Sequence, residues 1–138
     1  MYELSIYQDA EEDLERLLVS DESLALELIV YLEELRDDME MLDAMRRNQR
    51  IEGRTHVSIL WRWPDPINLW RLKLAEIRPR DGTFPYRIIY APDPARNIFH
   101  VLAIMHRDQD YERDKALRQR LLNAYEDLGL PKRGANPN

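Results

Sequence analysis

Three short basic stretches in the second half of the chain carry side chains that could act on a phosphate. Each lies on, or directly after, a run of residues with the composition of a β-strand. Since consecutive strands usually pair, we expect these cations, a histidine and a phenol to converge on one surface. Such a surface could grip and cut an RNA phosphate. The stretches are Trp70-Arg71-Leu72-Lys73-Leu74, Tyr86-Arg87-Ile88-Ile89-Tyr90, and His106-Arg107 with Tyr111 after it.

The histidine and the tyrosine are the candidates for proton transfer. His106 has an imidazole, which titrates near neutral pH and suits a general acid or base. Tyr111 could stack on a base, or act as a base itself if neighbouring cations lowered its pKa. The alternatives are a structural histidine at a strand end and a tyrosine packed against the last helix. Arg87 and Arg107 stay charged, so they would hold the phosphate and stabilise developing charge.

The charge of the chain is divided unevenly along its length. The formal net charge of −6 argues at first against a nucleic-acid partner. Residues 1–46 contain 3 basic and 15 acidic residues, a net charge of −12, whereas residues 47–138 have a net charge of +6. Most of the acidic residues fall between apolar ones and are expected to form a solvated outer face. An anion-binding function should therefore be sought in the second half.

Length and composition predict one globular domain. With 138 residues, 44% of them hydrophobic, the chain can close one core, which we place at residues 1–131 with a mobile tail at 132–138. The lack of cysteine excludes a disulfide and a thiolate metal site. Phosphate-binding glycine loops, nucleophile elbows and zinc-ligand spacings are absent, so we expect no metal and no cofactor. Without a signal segment or a membrane-spanning run, a cytoplasmic protein with no membrane contact is expected.

The first half is predicted to form one strand followed by helices. Apolar and polar residues alternate over residues 2–6, which is typical of a strand with one buried face. Asp9 could cap a helix that continues to Leu18, and Ser20 or Asp21 could cap a second. The second helix could continue or restart further on. Its apolar residues recur at helical spacing, first Leu24, Leu28, Leu32 and Leu35, then Met39, Leu42 and Met45.

The second half is predicted to be rich in strands. Residues 55–63 are β-prone, but Pro64 and Pro66 leave an edge strand and an ordered loop both open. A last helix should be capped near Asp110 and end at Gly129. The fold is therefore predicted to be α+β, with an N-terminal strand and helical hairpin, a mainly antiparallel sheet of about four strands and a C-terminal helix. The other strands are predicted at residues 69–77, 86–90 and 98–105.

The clearest alternation puts two cations on one face of a strand. Over residues 70–74, apolar residues alternate with Arg71 and Lys73. If the following strand pairs with this one, Arg87 lies within a few residues of both cations across the sheet. Like charges so close together lower stability, which is explained if a polyanion normally occupies the surface. The alternative is a set of ordinary charges on a solvent-facing sheet.

With these motifs in this order, residues 69–125 resemble the RelE/ParE toxin superfamily of bacterial type II toxin-antitoxin systems, and within it the RelE-like or HigB-like branch. The resemblance implies a small toxin neutralised by a cognate antitoxin protein. A RelE-like toxin enters the ribosomal A site and cleaves mRNA without metal, by attack of a ribose 2′-oxygen on the adjacent phosphate. The motifs are Leu69-Trp70-Arg71-Leu72-Lys73, Tyr86-Arg87-Ile88-Ile89-Tyr90, and the apolar strand ending in His106-Arg107 with Tyr111-Glu112-Arg113 after it.

The resemblance also implies roles for individual residues. The implied RNA-binding residues are Arg71, Lys73, Arg78 and Arg80, and the implied catalytic residues are Arg87, His106, Arg107 and Tyr111. The two catalytic arginines would stabilise the phosphorane, and the histidine or the tyrosine would move the proton. One rival reading is a ParE-like toxin that binds and inhibits DNA gyrase without catalysis. Another is an inactive binding module that has kept only the scaffold.

Overall fold

The computed structural model describes residues 2–46, 49–50, 55–59, 67–74, 84–109 and 113–131. For residues 49–50, 55–59 and 73–74 only the backbone is described. The strands are β1 (Glu3–Ile6), β2 (Gln49–Arg50), β3 (Thr55–Ile59), β4 (Trp70–Leu74), β5 (Tyr86–Asp93) and β6 (Ile98–His106). The helices are α1 (Gln8–Ser20), α2 (Glu22–Asp37), α3 (Met39–Ala44) and α4 (Lys115–Asp127).

Helices α2, α3 and α4 each begin at an aspartate whose carboxylate accepts from one of the first free N–H groups. The Asp21 carboxylate accepts from the Leu24 backbone N at 3.2 Å, which confirms one of the two predicted caps of α2. Asp38 caps α3 in the same way, so the second helix restarts. The prediction for α1 was wrong, because the cap position is Tyr7 and Asp9 lies inside the first turn. Asp114 caps α4, four residues beyond the predicted Asp110.

The strands form one six-stranded sheet in the order β1-β6-β5-β4-β3-β2. β1 runs parallel to β6, and all other neighbours are antiparallel. The predicted α+β class is therefore confirmed, with two more strands than expected. The stretch at residues 55–63, which the sequence left open, contributes β3 at Thr55–Ile59, paired with β4.

Each face of the sheet has its own apolar core. Helices α1 to α3 cover the first face, which we call the hairpin face, and Ile88, Tyr90 and Phe99 are buried there. Helix α4 covers the opposite face, the α4 face, where Ile89 and Leu121 are buried. Burial of apolar side chains on both faces explains why the central strands β5 and β6 are almost continuously apolar.

A β-bulge in β6 changes which residues lie on which face. Tyr90 of β5 pairs with Val101, and its neighbour Ile89 pairs with Ala103, so Leu102 has no partner on β5. Leu102 and Ala103 consequently both lie on the α4 face. From Ala103 onward, each residue of β6 lies on the face opposite to the one that regular alternation would give it.

The centre of the hairpin face is held by one buried tyrosine. The Tyr90 ring contacts the Phe99 ring edge-on, with 5.4 Å between ring centroids, and its Oη donates to the Met45 carbonyl at 2.5 Å. Tyr90 and Met45 are both fully buried. Burial, with a smaller contribution from Tyr31, raises the pKa of Tyr90 well above its ordinary value. The hydroxyl therefore stays a donor and ties the end of α3 to the sheet.

Replacing Tyr90 with phenylalanine tests this tie. We expect Tyr90→Phe to lower the free energy of unfolding by about 1–3 kcal/mol, because the buried Met45 carbonyl loses its donor. Urea unfolding followed by circular dichroism measures the change. Tyr2→Phe is the matched control, since the Tyr2 ring stacks on Phe99 but its hydroxyl makes no hydrogen bond with the described residues. Equal losses in the two variants would contradict the assigned role.

Candidate functional site

Three arginines meet at one end of the sheet on the α4 face, and we call them the arginine surface: Arg71, Arg87 and Arg107. Arg71 pairs with Ile89 and Lys73 pairs with Arg87, so Arg71 and Arg87 are diagonal neighbours on adjacent strands. Arg107 follows β6 directly, and its backbone N donates to the Pro85 carbonyl at 2.7 Å, next to the start of β5. The alternation of β4 and the antiparallel pairing of β4 with β5 are what bring Arg71 and Arg87 together.

The electrostatics of the arginine surface favour an anion. Burial lowers the pKa of Arg87, the positive charges of Arg71 and Arg107 lower it further, and Asp108 partly offsets them. For diagonal neighbours about 7–8 Å apart, two unit charges repel by roughly 2 kcal/mol at an effective dielectric of about 20. Solvent reduces this cost at half-exposed side chains. A bound carboxylate or phosphate would remove the repulsion and accept hydrogen bonds from the guanidinium groups.

His106 lies on the opposite face from the arginine surface. It pairs with Tyr86, and its ring stands edge-on to the Tyr86 ring with 5.1 Å between centroids, beside the hairpin-face core. Its Nδ1 accepts from the backbone N of Asp108 at 3.1 Å and lies 3.4 Å from the Asp108 carboxylate. The expected convergence therefore includes the three arginines and excludes this histidine. The β-bulge at Leu102 is the reason, because regular alternation would have put His106 on the α4 face.

The remaining predicted site residues are described in part or not at all. The backbone of Lys73 pairs with Arg87, but its side chain lies outside the described atoms. Arg78, Arg80 and Tyr111 lie outside the described residues. Their roles stay predictions.

An ion pair that was not predicted from the sequence joins α1, α4 and β6. Both Asp13 carboxylate oxygens accept from Arg120, Oδ1 from Nη1 at 2.9 Å and Oδ2 from Nη2 at 2.6 Å. Oδ2 also accepts from the Ile104 backbone N at 2.8 Å. A sequence signal was present, because Asp13 lies three residues after the buried Ala10 and four before the buried Leu17. An acidic residue at that spacing is on the apolar stripe of its helix, not on the solvated face.

A second charged cluster holds the turn between β5 and β6 against α4. The buried Asp93 carboxylate lies 3.3 Å from His100 Nε2 and accepts from Arg96 at 3.1 Å. Arg96 also donates to the Leu128 carbonyl at the end of α4, at 3.4 Å. Since His100 and Asp93 are only 7% and 3% exposed, this cluster has a structural role and offers no open site.

The order of elements agrees with the α+β domain that the sequence resemblance implied. Residues 4–111 match the protein family described as ParE toxin of type II toxin-antitoxin system, parDE. Because the match covers well over half of the chain, the protein belongs to this family. Searches of curated proteins and of solved structures gave no match.

Family membership confirms the coarse expectation and leaves the finer one a prediction. The chain is a toxin of a type II system, and its partner is a cognate antitoxin. The family is the ParE branch, so the expected RelE-like branch is not confirmed. Within the described ranges, no helix is long and apolar enough to cross a membrane. The same residues contain no cluster of three or more His, Asp or Glu side chains that could hold a metal ion.

Anion binding at the arginine surface has a measurable effect on stability. We expect phosphate to raise the unfolding temperature of the protein relative to chloride at equal ionic strength, because it relieves the repulsion around Arg87. At a phosphate concentration tenfold above its Kd the gain would be about 1.4 kcal/mol. Arg87→Met should lose most of this gain in a thermal melt. Arg36→Met, at an exposed position of α2, is the control, and an unchanged phosphate response in Arg87→Met would contradict an anion site.

Proposed function

We propose that this toxin arrests growth by binding and inhibiting DNA gyrase in the cytoplasm, with the arginine surface as its docking face, and that it does not cut nucleic acid. The observation that carries this proposal is the position of His106 on the other face of the sheet from Arg71 and Arg87. The sequence resemblance gave gyrase inhibition as the activity of ParE-like toxins, and the family match to ParE supports that choice.

The chemistry of RNA cleavage supports the same conclusion. A general base must come within hydrogen-bond reach of the attacking 2′-hydroxyl. The three guanidinium groups of the arginine surface bind anions and stabilise charge but do not accept a proton. The carboxylate that acts on Arg87 belongs to Asp108, and it lies 3.4 Å from His106 Nδ1. His106 lies on the other face of the sheet, where its ring packs on Tyr86 and its Nδ1 accepts from the Asp108 backbone N.

Arginines in this arrangement are well suited to a protein interface. A guanidinium group forms paired hydrogen bonds with a carboxylate, and arginine is among the residues that dominate binding energy at interfaces. Arg87 is half-buried between like charges, so it gains most when an acidic group of a partner arrives. The alternative is the function predicted first from the sequence resemblance, ribosome-dependent mRNA cleavage. In that function Arg71, Lys73, Arg78 and Arg80 would hold the RNA, Arg87 and Arg107 would stabilise the phosphorane, and His106 or Tyr111 would move the proton.

Two assays with the purified protein separate these functions. We expect the toxin to inhibit supercoiling by pure DNA gyrase, and to leave mRNA uncut in a toeprinting assay on translating ribosomes. The reason is that docking needs only the cationic surface, whereas cleavage needs a proton acceptor beside it. Cut mRNA together with unaffected gyrase would overturn the proposal and support the RelE-like prediction.

Substitutions on the two faces of the sheet sharpen the test. Arg87→Ala and Arg107→Ala should each relieve growth arrest and weaken gyrase inhibition by about tenfold or more, since each removes a charge-assisted contact. His106→Gln should leave toxicity unchanged, because its side chain lies on the hairpin face. Arg36→Ala is the charge-matched control, and antitoxin binding by every variant verifies the fold. Loss of toxicity in His106→Gln with a preserved fold would contradict docking through the arginine surface.

A further inference from the structure

A cleft of about 370 Å³ opens between α1, α4 and the edge of β6 that β1 does not cover. We call it the edge cleft. Its walls include Leu17 of α1, Ile104 of β6 and Leu117 of α4, and its polar residues include Arg16, Tyr86 and Gln109. None of the residues of the arginine surface lines it. The volume is near the lower end of the range for small-ligand sites, enough for one or two side chains of a partner.

The single carboxylate in the edge cleft is already fully engaged. Oδ1 of Asp13 accepts from Arg120 at 2.9 Å and from Arg16 at 2.5 Å. Oδ2 accepts from Arg120 at 2.6 Å and from the Ile104 backbone N at 2.8 Å. Asp13 is consequently a support that orients the two arginines, and it offers no acceptor to a ligand.

The hydrogen-bonding capacity that remains in the edge cleft is almost all of the donor type. Arg16 is 64% exposed on its side chain and bonds only with Asp13 among the described residues, so most of its five N–H groups are available. Gln109 uses its Oε1 to accept from the His106 backbone N, which leaves its amide NH₂ to donate. The Tyr86 hydroxyl has no hydrogen bond within the described part of the chain. A donor-rich site beside apolar walls suits a carboxylate carried on an apolar segment.

The charge around the edge cleft favours a peptide over a nucleic acid. Two arginines and one aspartate give the cleft a single positive charge, but it borders α1 in the half of the chain with a net charge of −12. A phosphate backbone would be repelled by the surrounding acidic helices. One carboxylate with apolar neighbours matches a single positive charge and avoids that repulsion.

We propose that the edge cleft binds an acidic segment of the cognate antitoxin, whose Asp or Glu carboxylate is held by Arg16, Gln109 and Tyr86. An apolar side chain next to that carboxylate packs against Leu17 and Leu117. The occupant follows from family membership, since an antitoxin is the partner of any type II toxin. The antitoxin is the partner of the toxin whether the toxin acts on gyrase or on mRNA.

The affinity of the toxin for its antitoxin tests the proposal. The probe is the small protein encoded beside the toxin, purified and titrated into the full-length toxin by calorimetry. Arg16→Ala should weaken binding by about 10- to 100-fold, because it removes a charge-assisted hydrogen bond. Tyr86→Phe, which removes only the hydroxyl, should weaken it by a smaller factor. Arg36→Ala, an equal change of charge on α2, should have no effect.

Contact mapping identifies the antitoxin residue that enters the edge cleft. A photoreactive benzoylphenylalanine at Ser20, which also lines the cleft, should cross-link to an antitoxin segment that contains Asp or Glu. In an antitoxin where that acid is replaced by its amide, the affinity for the Arg16→Ala toxin should fall no further, since the two residues act as a pair. Cross-links only to an antitoxin segment without acids, or equal losses of affinity in Arg16→Ala and Arg36→Ala, would overturn the assignment.

Gyrase inhibition by Arg16→Ala without antitoxin should equal that of the wild type, so failure of the gyrase proposal is seen separately.

Discussion

The β-bulge at Leu102 determines which side chains can act together in this toxin. One residue without a partner on β5 reverses the alternation of the last part of β6. As a result, Ile104 is buried in the hairpin-face core, and His106 lies on the face opposite to Arg71 and Arg87. Arg107, the next residue, lies close enough to Arg87 to lower its pKa. The composition of the arginine surface depends on this one extra residue in β6. The proposal of docking rather than cleavage rests on the same feature.

A helix or strand could be predicted where its apolar residues recur at a regular spacing in the sequence. Leucines at helical spacing predicted α2, and the alternation around Arg71 predicted β4, because each has one buried and one open face. In β6 both faces are buried, so residues 98–105 are almost continuously apolar. The sequence therefore does not show which of these residues lie on the same face. A bulge inside such a run does not change the pattern of apolar and polar residues. The sequence therefore predicted His106 on the same face as the arginines.

Some features of the charge distribution could be predicted from the sequence and others could not. The acidic first half and the basic second half were evident from composition, and most acidic side chains of α1 and α2 are exposed as expected. Asp13 differs from its neighbours because it lies on the apolar stripe of α1, where its partner Arg120 comes from the far end of the chain. Sequence spacing indicates that such a residue is buried, but only the tertiary structure supplies the partner.

The side chains along the open edge of β6 have a further consequence for the behaviour of the protein in solution. Arg120 donates to the Leu102 carbonyl, Asp13 accepts from the Ile104 N–H, and Gln109 accepts from the His106 N–H. These are backbone groups that a strand from another molecule would otherwise pair with. An intruding strand would have to break an ion pair before gaining its first hydrogen bond. This edge therefore resists sheet extension, which should keep the toxin from polymerising through it when its concentration rises.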